Sequence, residues 1–113
     1  MQKIQKSESF EHSTSALTGW YYQLPNVEHG KTIVYAEVHG DHGQRTIGDV
    51  TRIYFIIEGH GEFIVNSDST KVTSGDVVVI PPRATYSYHA TRGILKLVLF
   101  MELLDINKLP KSK

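Results

Sequence analysis

At 113 residues, with 40% hydrophobic and 21% charged positions, the chain has the size and composition of one globular domain. Twelve Lys+Arg balance twelve Asp+Glu, so no bulk basic field draws nucleic acid or an anionic membrane, and neither is expected as a partner. Cysteine is absent, which removes disulfides, thiolate nucleophiles and Cys-based zinc or iron–sulfur sites. The opening MQKIQKSESFEHSTS holds no apolar run fit for a signal peptide, and no segment is long enough to span a bilayer, so a cytoplasmic location is the expectation.

In chain order, residues 1–14 are polar and without periodicity and read as a loose N-terminal arm. From there to residue 104 the chain reads as one β domain, followed by a tail over residues 105–113. The runs LTGWYYQL, KTIVYAEV, RIYFIIEG, GEFIVN, KVT, DVVVI, TYSYHA and GILKLVLFMEL are short and rich in β-branched and aromatic residues. Between them lie turn signals such as Pro25-Asn26, His29-Gly30, Asn66-Ser67, Ser74-Gly75-Asp76 and Arg92-Gly93, where Gly, Asn and Asp supply positive φ. Short strands at this spacing predict an all-β sandwich or barrel. Only residues 102–109 offer a terminal turn of helix, stopped by Pro110.

Two runs are apolar on both faces. Arg52, Tyr54 and Ile56 alternate with Ile53, Phe55 and Ile57, while Leu95, Leu97, Leu99 and Met101 alternate with Ile94, Lys96, Val98 and Phe100. A strand with one face in water alternates apolar with polar. The outside therefore needs a cover, whether another sheet layer, the N-terminal arm or a second copy of the chain, and a symmetric homodimer is the commonest solution.

The stretch from Gly40 to Tyr86 resembles the two-motif signature of the cupin family. The first family motif is G(X)5HXH(X)3-4E(X)6G. Anchored on Gly59 at the end of YFIIEG, it places the family's Glu at Arg52. Its two His fall on Thr46 and Gly48 with Gly40 leading, or on Arg45 and Ile47 with His39 leading. The second motif, G(X)5PXG(X)2H(X)3N, falls on Gly75, Pro81, Arg83, Tyr86 and Ala90, matching the first glycine and the proline but not the second glycine, the His or the Asn. The most specific piece is GDVVVIPPRATY, with VVVI expected as a buried strand. The resemblance spans residues 31–101 and implies a single-domain antiparallel β-barrel of the cupin-like jelly-roll kind. It also implies an empty metal box. An Arg stays protonated and repels a divalent cation, so the ordinary metal site is not expected and no cofactor is predicted.

Taken literally, the family's inward positions put Arg52, Tyr54, Tyr86 and Tyr88 in the barrel, with Arg45 or Thr46 nearby and Trp20, Tyr22 and Tyr35 adding aromatic wall. Such a cavity suits a small organic ligand, and a guanidinium favours an anionic or sugar-like one. The alternative is that Arg52 pairs with an acid such as Glu37, Asp49 or Glu62 and that the tyrosines fill the core. The leading expectation is a metal-free cupin-like domain that binds a small molecule through Arg and Tyr. The alternative is a metal-independent sugar isomerase or epimerase. It needs a His base beside a Tyr acid, and no inward His is evident: His89 faces outward if Tyr86 and Tyr88 face inward. A metal enzyme with ligands relocated to His39, His42 or His89 ranks third, since turn histidines such as His39 and His42 are usually solvated.

Overall fold

The computed structural model describes residues 1–109. Eight strands form: β1 (Phe10–Ser13), β2 (Leu17–Leu24), β3 (Lys31–Val38), β4 (Arg45–Thr46), β5 (Arg52–Val65), β6 (Asp68–Thr73), β7 (Val77–Ile80) and β8 (Thr85–Glu102). All pairings are antiparallel, in the order β1-β2-β3-β8-β5-β6, with β4 joined to β8 and β7 to β5. The predicted runs LTGWYYQL and KTIVYAEV coincide with β2 and β3. Among the described residues helix is confined to two single 3-10 turns, Lys6–Glu8 and Ile106–Lys108, so no helix is long and apolar enough to cross a membrane.

Two long strands organise the barrel. RIYFIIEG and GEFIVN are one strand, β5, and TYSYHA and GILKLVLFMEL are one strand, β8. Their pairing slips at Ile56/Glu58, Glu58/His60 and His60/Gly61. The expected Arg92-Gly93 turn is therefore a bulge inside a continuous strand. On one side of the bulges, residues 53–56 of β5 pair with residues 97–100 of β8; on the other, residues 61–65 pair with residues 86–90. The bend lets each strand contribute to both walls. Gly59 makes the crossing possible: its φ is +98°, and a Cβ there would sit 2.4 Å from the Ile94 carbonyl oxygen.

The interior follows from alternation. Val34, Ala36, Val38, Ile56, Leu95 and Leu97 are buried along with Phe63 and Ile80, all from one face of each strand. Two expectations are corrected here. The arm is not loose: β1 pairs with β2 from Phe10 opposite Tyr21 to Ser13 opposite Thr18, and His12 is buried. Its four residues are too few and too polar to signal a strand, and the pairing is supplied by the β2 edge. Nor is VVVI buried throughout: Ile80 is, but Val77 and Val79 are 56% and 59% exposed, because none of the described residues covers that side of β7. Of the tail, residues 105–109 carry only the second 3-10 turn, with Asn107 N donating to Asp105 Oδ1 at 3.0 Å, while Pro110 and the predicted helix stop lie outside the described residues.

Candidate functional site

One cavity of about 260 Å³ opens into the barrel. Its polar lining comes from Tyr54 and Arg52 on β5, Tyr86 and Tyr88 on β8, Arg45 and Thr46 on β4, Tyr21 on β2, and His12 and His42. Leu17, Val34, Leu97 and Leu99 form the apolar wall. The small volume suits a single sugar ring or short keto acid better than a dinucleotide-sized ligand.

Arg52 is held on two sides. Its Nη2 donates to Glu102 Oε2 at 3.0 Å and its Nη1 donates to the Tyr86 hydroxyl oxygen at 3.1 Å. The acid anticipated among Glu37, Asp49 and Glu62 is instead Glu102, at the far end of β8. Asp49 meets Arg83, Glu62 meets His89 and Glu37 accepts from the Tyr35 hydroxyl. Burial works against the Arg52 charge, yet the Glu102 carboxylate and the neighbouring tyrosines hold the guanidinium protonated, and Arg52 in turn lowers the Glu102 carboxyl despite its own partial burial. Since Tyr86 accepts from Arg52, its own O–H is left to donate elsewhere.

Tyr54 and Tyr88 are buried, and burial pushes both phenols well above their ordinary value, reinforced by the adjacent tyrosines, so both remain donors. The Tyr54 hydroxyl is fully buried and makes no well-formed hydrogen bond among the described residues, although the Tyr86 hydroxyl, which accepts from Arg52 and keeps a second lone pair, lies near enough to pair with it. A buried donor beside a cavity with so weak a pairing is open to a further partner. Tyr54→Phe is expected to leave the fold intact and change its stability by no more than about 1 kcal/mol, since the hydroxyl has at most a weak partner in Tyr86. Any cavity ligand that pairs with the hydroxyl is expected to bind about tenfold more weakly to the variant, the worth of one hydrogen bond. Thermal denaturation with and without ligand reads both; a larger loss of stability would show that the hydroxyl is already satisfied.

His42 is the residue that sequence reasoning left on the surface. The turn is drawn inward by its backbone. His42 N donates to the Tyr88 carbonyl at 2.8 Å, Ala90 N donates to the Gly40 carbonyl at 3.3 Å, and Gly43, at φ +85°, accommodates the reversal while its N–H caps on Asp41 Oδ1 at 2.8 Å. These bonds lay the imidazole on Tyr88, with centroids 4.4 Å apart and planes within 19°, and beside Tyr86 at 5.5 Å. Phe63 backs the stack at 4.8 Å from Tyr88. Nδ1 lies 2.9 Å from the Gly43 carbonyl, which only accepts, so Nδ1 carries the proton and Nε2 keeps its lone pair. Burial lowers the His42 pKa; the Gly43 carbonyl opposes this, and the Arg45 and Arg52 charges add to it. At neutral pH the imidazole is uncharged.

Trp20, Tyr22 and Tyr35 do not line the cavity. Trp20 and Tyr35 stack at 5.4 Å on the outer face of β2 and β3, under Lys6, whose Nζ lies 4.1 Å from the Trp20 ring centre. Strand alternation turns Tyr21, between Trp20 and Tyr22, inward instead. Arg45 stands exposed at the mouth, bonded only to the Gln44 carbonyl, with no acidic partner among the described residues. His89 pairs with Glu62 outside the cavity, and among the described residues no three His, Asp or Glu side chains converge as metal ligands. The positions where cupins carry metal ligands hold Arg52 clamped by Glu102, Tyr86, and Arg45 or Thr46. This set does not fit a divalent cation.

No family model matches the sequence, and no curated protein matches it. Solved structures do. A predicted oxalate decarboxylase from Thermotoga maritima aligns with a TM-score of 0.77 at 16% identity, over 91% of this chain and 100% of that one. An RmlC-like cupin from Shewanella frigidimarina aligns at 0.74 and 12% identity, over 91% of each. The nucleoside dehydratase Pac13 aligns at 0.76 and 17% identity, over 100% of this chain and 94% of that one, and a histidine-to-glutamine form of the Streptomyces protein with uridine aligns equally well. With strand order, the bent pair β5 and β8 and these superpositions in agreement, the chain has the fold of the cupin superfamily.

Proposed function

We propose that this chain is a metal-independent enzyme that moves a proton on a carbon next to the carbonyl of a small, sugar-like molecule held in the barrel. The observation that carries the reading is His42: a neutral imidazole with Nδ1–H spent on Gly43, stacked between the cavity and Tyr88. Its Nε2 lone pair is a general base near neutral pH. The Tyr54 and Tyr86 hydroxyls are donors able to take the charge that develops on the carbonyl oxygen as the C–H bond breaks. Returning the proton to the neighbouring carbon gives isomerisation, and returning it to the opposite face gives epimerisation. Expelling a β-hydroxyl as water gives dehydration. A nucleoside dehydratase among the structural neighbours supports the last of these. Arg52 is neutralised by Glu102, so an anionic group on the ligand is assigned to Arg45 at the mouth.

The test is incorporation of solvent deuterium into keto sugars and keto acids that raise the thermal midpoint. Exchange at one carbon supports the reading. A thermal shift without exchange would make the domain a binding module that uses Arg45, Tyr54 and Tyr86. The pH profile is a second check. Because the folded His42 pKa lies below its ordinary value of about 6.5, the base is active above that point and the rate falls only in the acid limb below it. Stability follows the same sign: the His42 contribution is present above about pH 6.5 and is lost as pH falls through the lower folded value.

A further inference from the structure

The inner face of β1 adds a second imidazole to the cavity. Glu11 points outward, its carboxylate accepting from Trp20 Nε1 at 3.2 Å, so alternation turns Phe10 and His12 to the other side. His12 is 8% exposed and lines the cavity with Thr14, Leu17 and Tyr21. It stands opposite Gly19 on β2, and that glycine shapes the corner. A Cβ at position 19 would lie 2.9 Å from the Tyr21 ring and 3.3 Å from its hydroxyl oxygen. Only a residue without a side chain lets the Tyr21 ring lie over position 19, across from His12. Phe10 closes the outside of the corner, its ring 6.2 Å from the His12 ring and 6.3 Å from that of Tyr21. The Tyr21 phenol also feels the far side of the same space: burial and Tyr86 raise its pKa, and Arg52 opposes them.

The two imidazoles come from different walls. β1 joins β2 and β3, which pair with residues 95–102 of β8. His42 stacks on Tyr88 and Tyr86, in the half of β8 beyond the bulges, which pairs with β4 and with residues 63–65 of β5. A ligand held between the walls has one imidazole toward each side. We infer that His12 is a second acid–base group of this cavity, giving a proton to the side of the ligand opposite His42, a role that rests on the proton-transfer reading. His42 Nε2 takes the proton from the carbon, and the C–H electron pair moves toward the carbonyl oxygen, where the Tyr54 and Tyr86 hydroxyls meet the charge. As the pair returns, His12 gives its proton to the opposite face of that carbon, inverting it, or to a β-hydroxyl that leaves as water. Both outcomes balance: His42 ends with one proton more and His12 with one fewer, and solvent at the mouth resets them. A single base returns the proton to the face it came from. A donor on the other wall is what inverts the carbon or protonates a hydroxyl leaving from the far side. Residue types agree with this use. The other inward residues of this wall include Leu17, Val34 and Ala36, so a side chain that only filled the core would be apolar, whereas an imidazole both takes and gives a proton near neutrality.

The probes are ketohexoses and keto acids that carry a β-hydroxyl, each with and without a phosphate, incubated in heavy water. Deuterium exchange and product, either the inverted or the dehydrated compound, are measured in the same sample. In the wild type, product is expected to form at a rate comparable with exchange. His12→Gln is expected to lower product formation by roughly 10²–10⁴-fold and exchange far less, so the ratio of product to exchange collapses. A substitution that merely loosens the barrel lowers both alike and keeps the ratio. A ratio unchanged from the wild type, or a wild type that exchanges without forming product, overturns the second group and leaves His42 standing as a base. A wild type that exchanges no deuterium overturns both. Nuclear magnetic resonance on the unsubstituted protein covers loss of the fold in the variant. The His12 ring signals are expected to shift on saturation with the exchanging probe, as those of His42 do, while those of the exposed His29 and His60 stay in place. A His12 ring that the probe leaves unmoved overturns the inference.

Discussion

Replacing His42 by Gln is expected to lower solvent-deuterium exchange into a bound ligand by roughly 10²–10⁴-fold, the usual worth of a positioned general base. Glutamine is close to imidazole in length and can still donate to the Gly43 carbonyl, but its amide nitrogen has no basic lone pair at neutral pH. The loss therefore falls on proton transfer. Ligand-induced thermal shifts should persist, because Tyr54, Tyr86 and Arg45 are untouched. The stacking on Tyr88 is lost, at about 1 kcal/mol of stability. Exchange at the wild-type rate in the variant would remove His42 from the chemistry. Exchange and binding lost together, with the fold intact by circular dichroism, would assign it to ligand binding instead.

The largest effect on stability is expected at Gly59. Gly59→Ala meets two penalties at once: a φ of +98°, which L residues rarely adopt, and a Cβ at 2.4 Å from the Ile94 carbonyl oxygen and 3.1 Å from Leu95 Cα. Both neighbours are backbone, so neither can swing aside. The combined cost is about 3–5 kcal/mol, a large share of the stability of a domain this size, and the thermal midpoint should drop by roughly 10–20 °C. Gly75 separates the two contributions. Its φ is +92° but nothing lies within 4 Å of an added Cβ, so Gly75→Ala carries the backbone penalty alone, about 1–2 kcal/mol. Equal midpoints for the two variants would show that the bulge between β5 and β8 relaxes around the methyl, and that Gly59 does not hold the strands in close approach.

The positions of the strands were legible because period-2 alternation and turn chemistry are local. LTGWYYQL and KTIVYAEV carry their own β propensity, and Ser74-Gly75-Asp76 makes its turn by Thr73 N donating to Asp76 Oδ2 at 2.8 Å. The same locality hid the continuity of β5 and β8, since Gly59 and Gly93 read as strand ends when they are bulges within strands. Inward and outward faces were legible wherever the family motif anchored the register, which placed Arg52, Tyr54, Tyr86 and Tyr88 in the cavity. Trp20 and Tyr35 had no such anchor and were put on the wrong face, a single-residue shift in alternation.

By itself, then, the sequence determined an all-β cupin-like barrel in which Arg and Tyr stand where metal ligands are usual, because these depend on residue identity and short-range period. Tertiary structure alone decided the rest. Arg52 closes on Glu102 across 50 residues of chain, and His42 is pulled into the barrel by two backbone hydrogen bonds between its turn and the far-off strand β8. The lowered His42 pKa comes from burial that only the assembled walls provide. Nothing near His42 in the chain distinguishes it from His39, three residues earlier; what separates an imidazole lining the cavity from an exposed one is the strand edge against which its turn pairs.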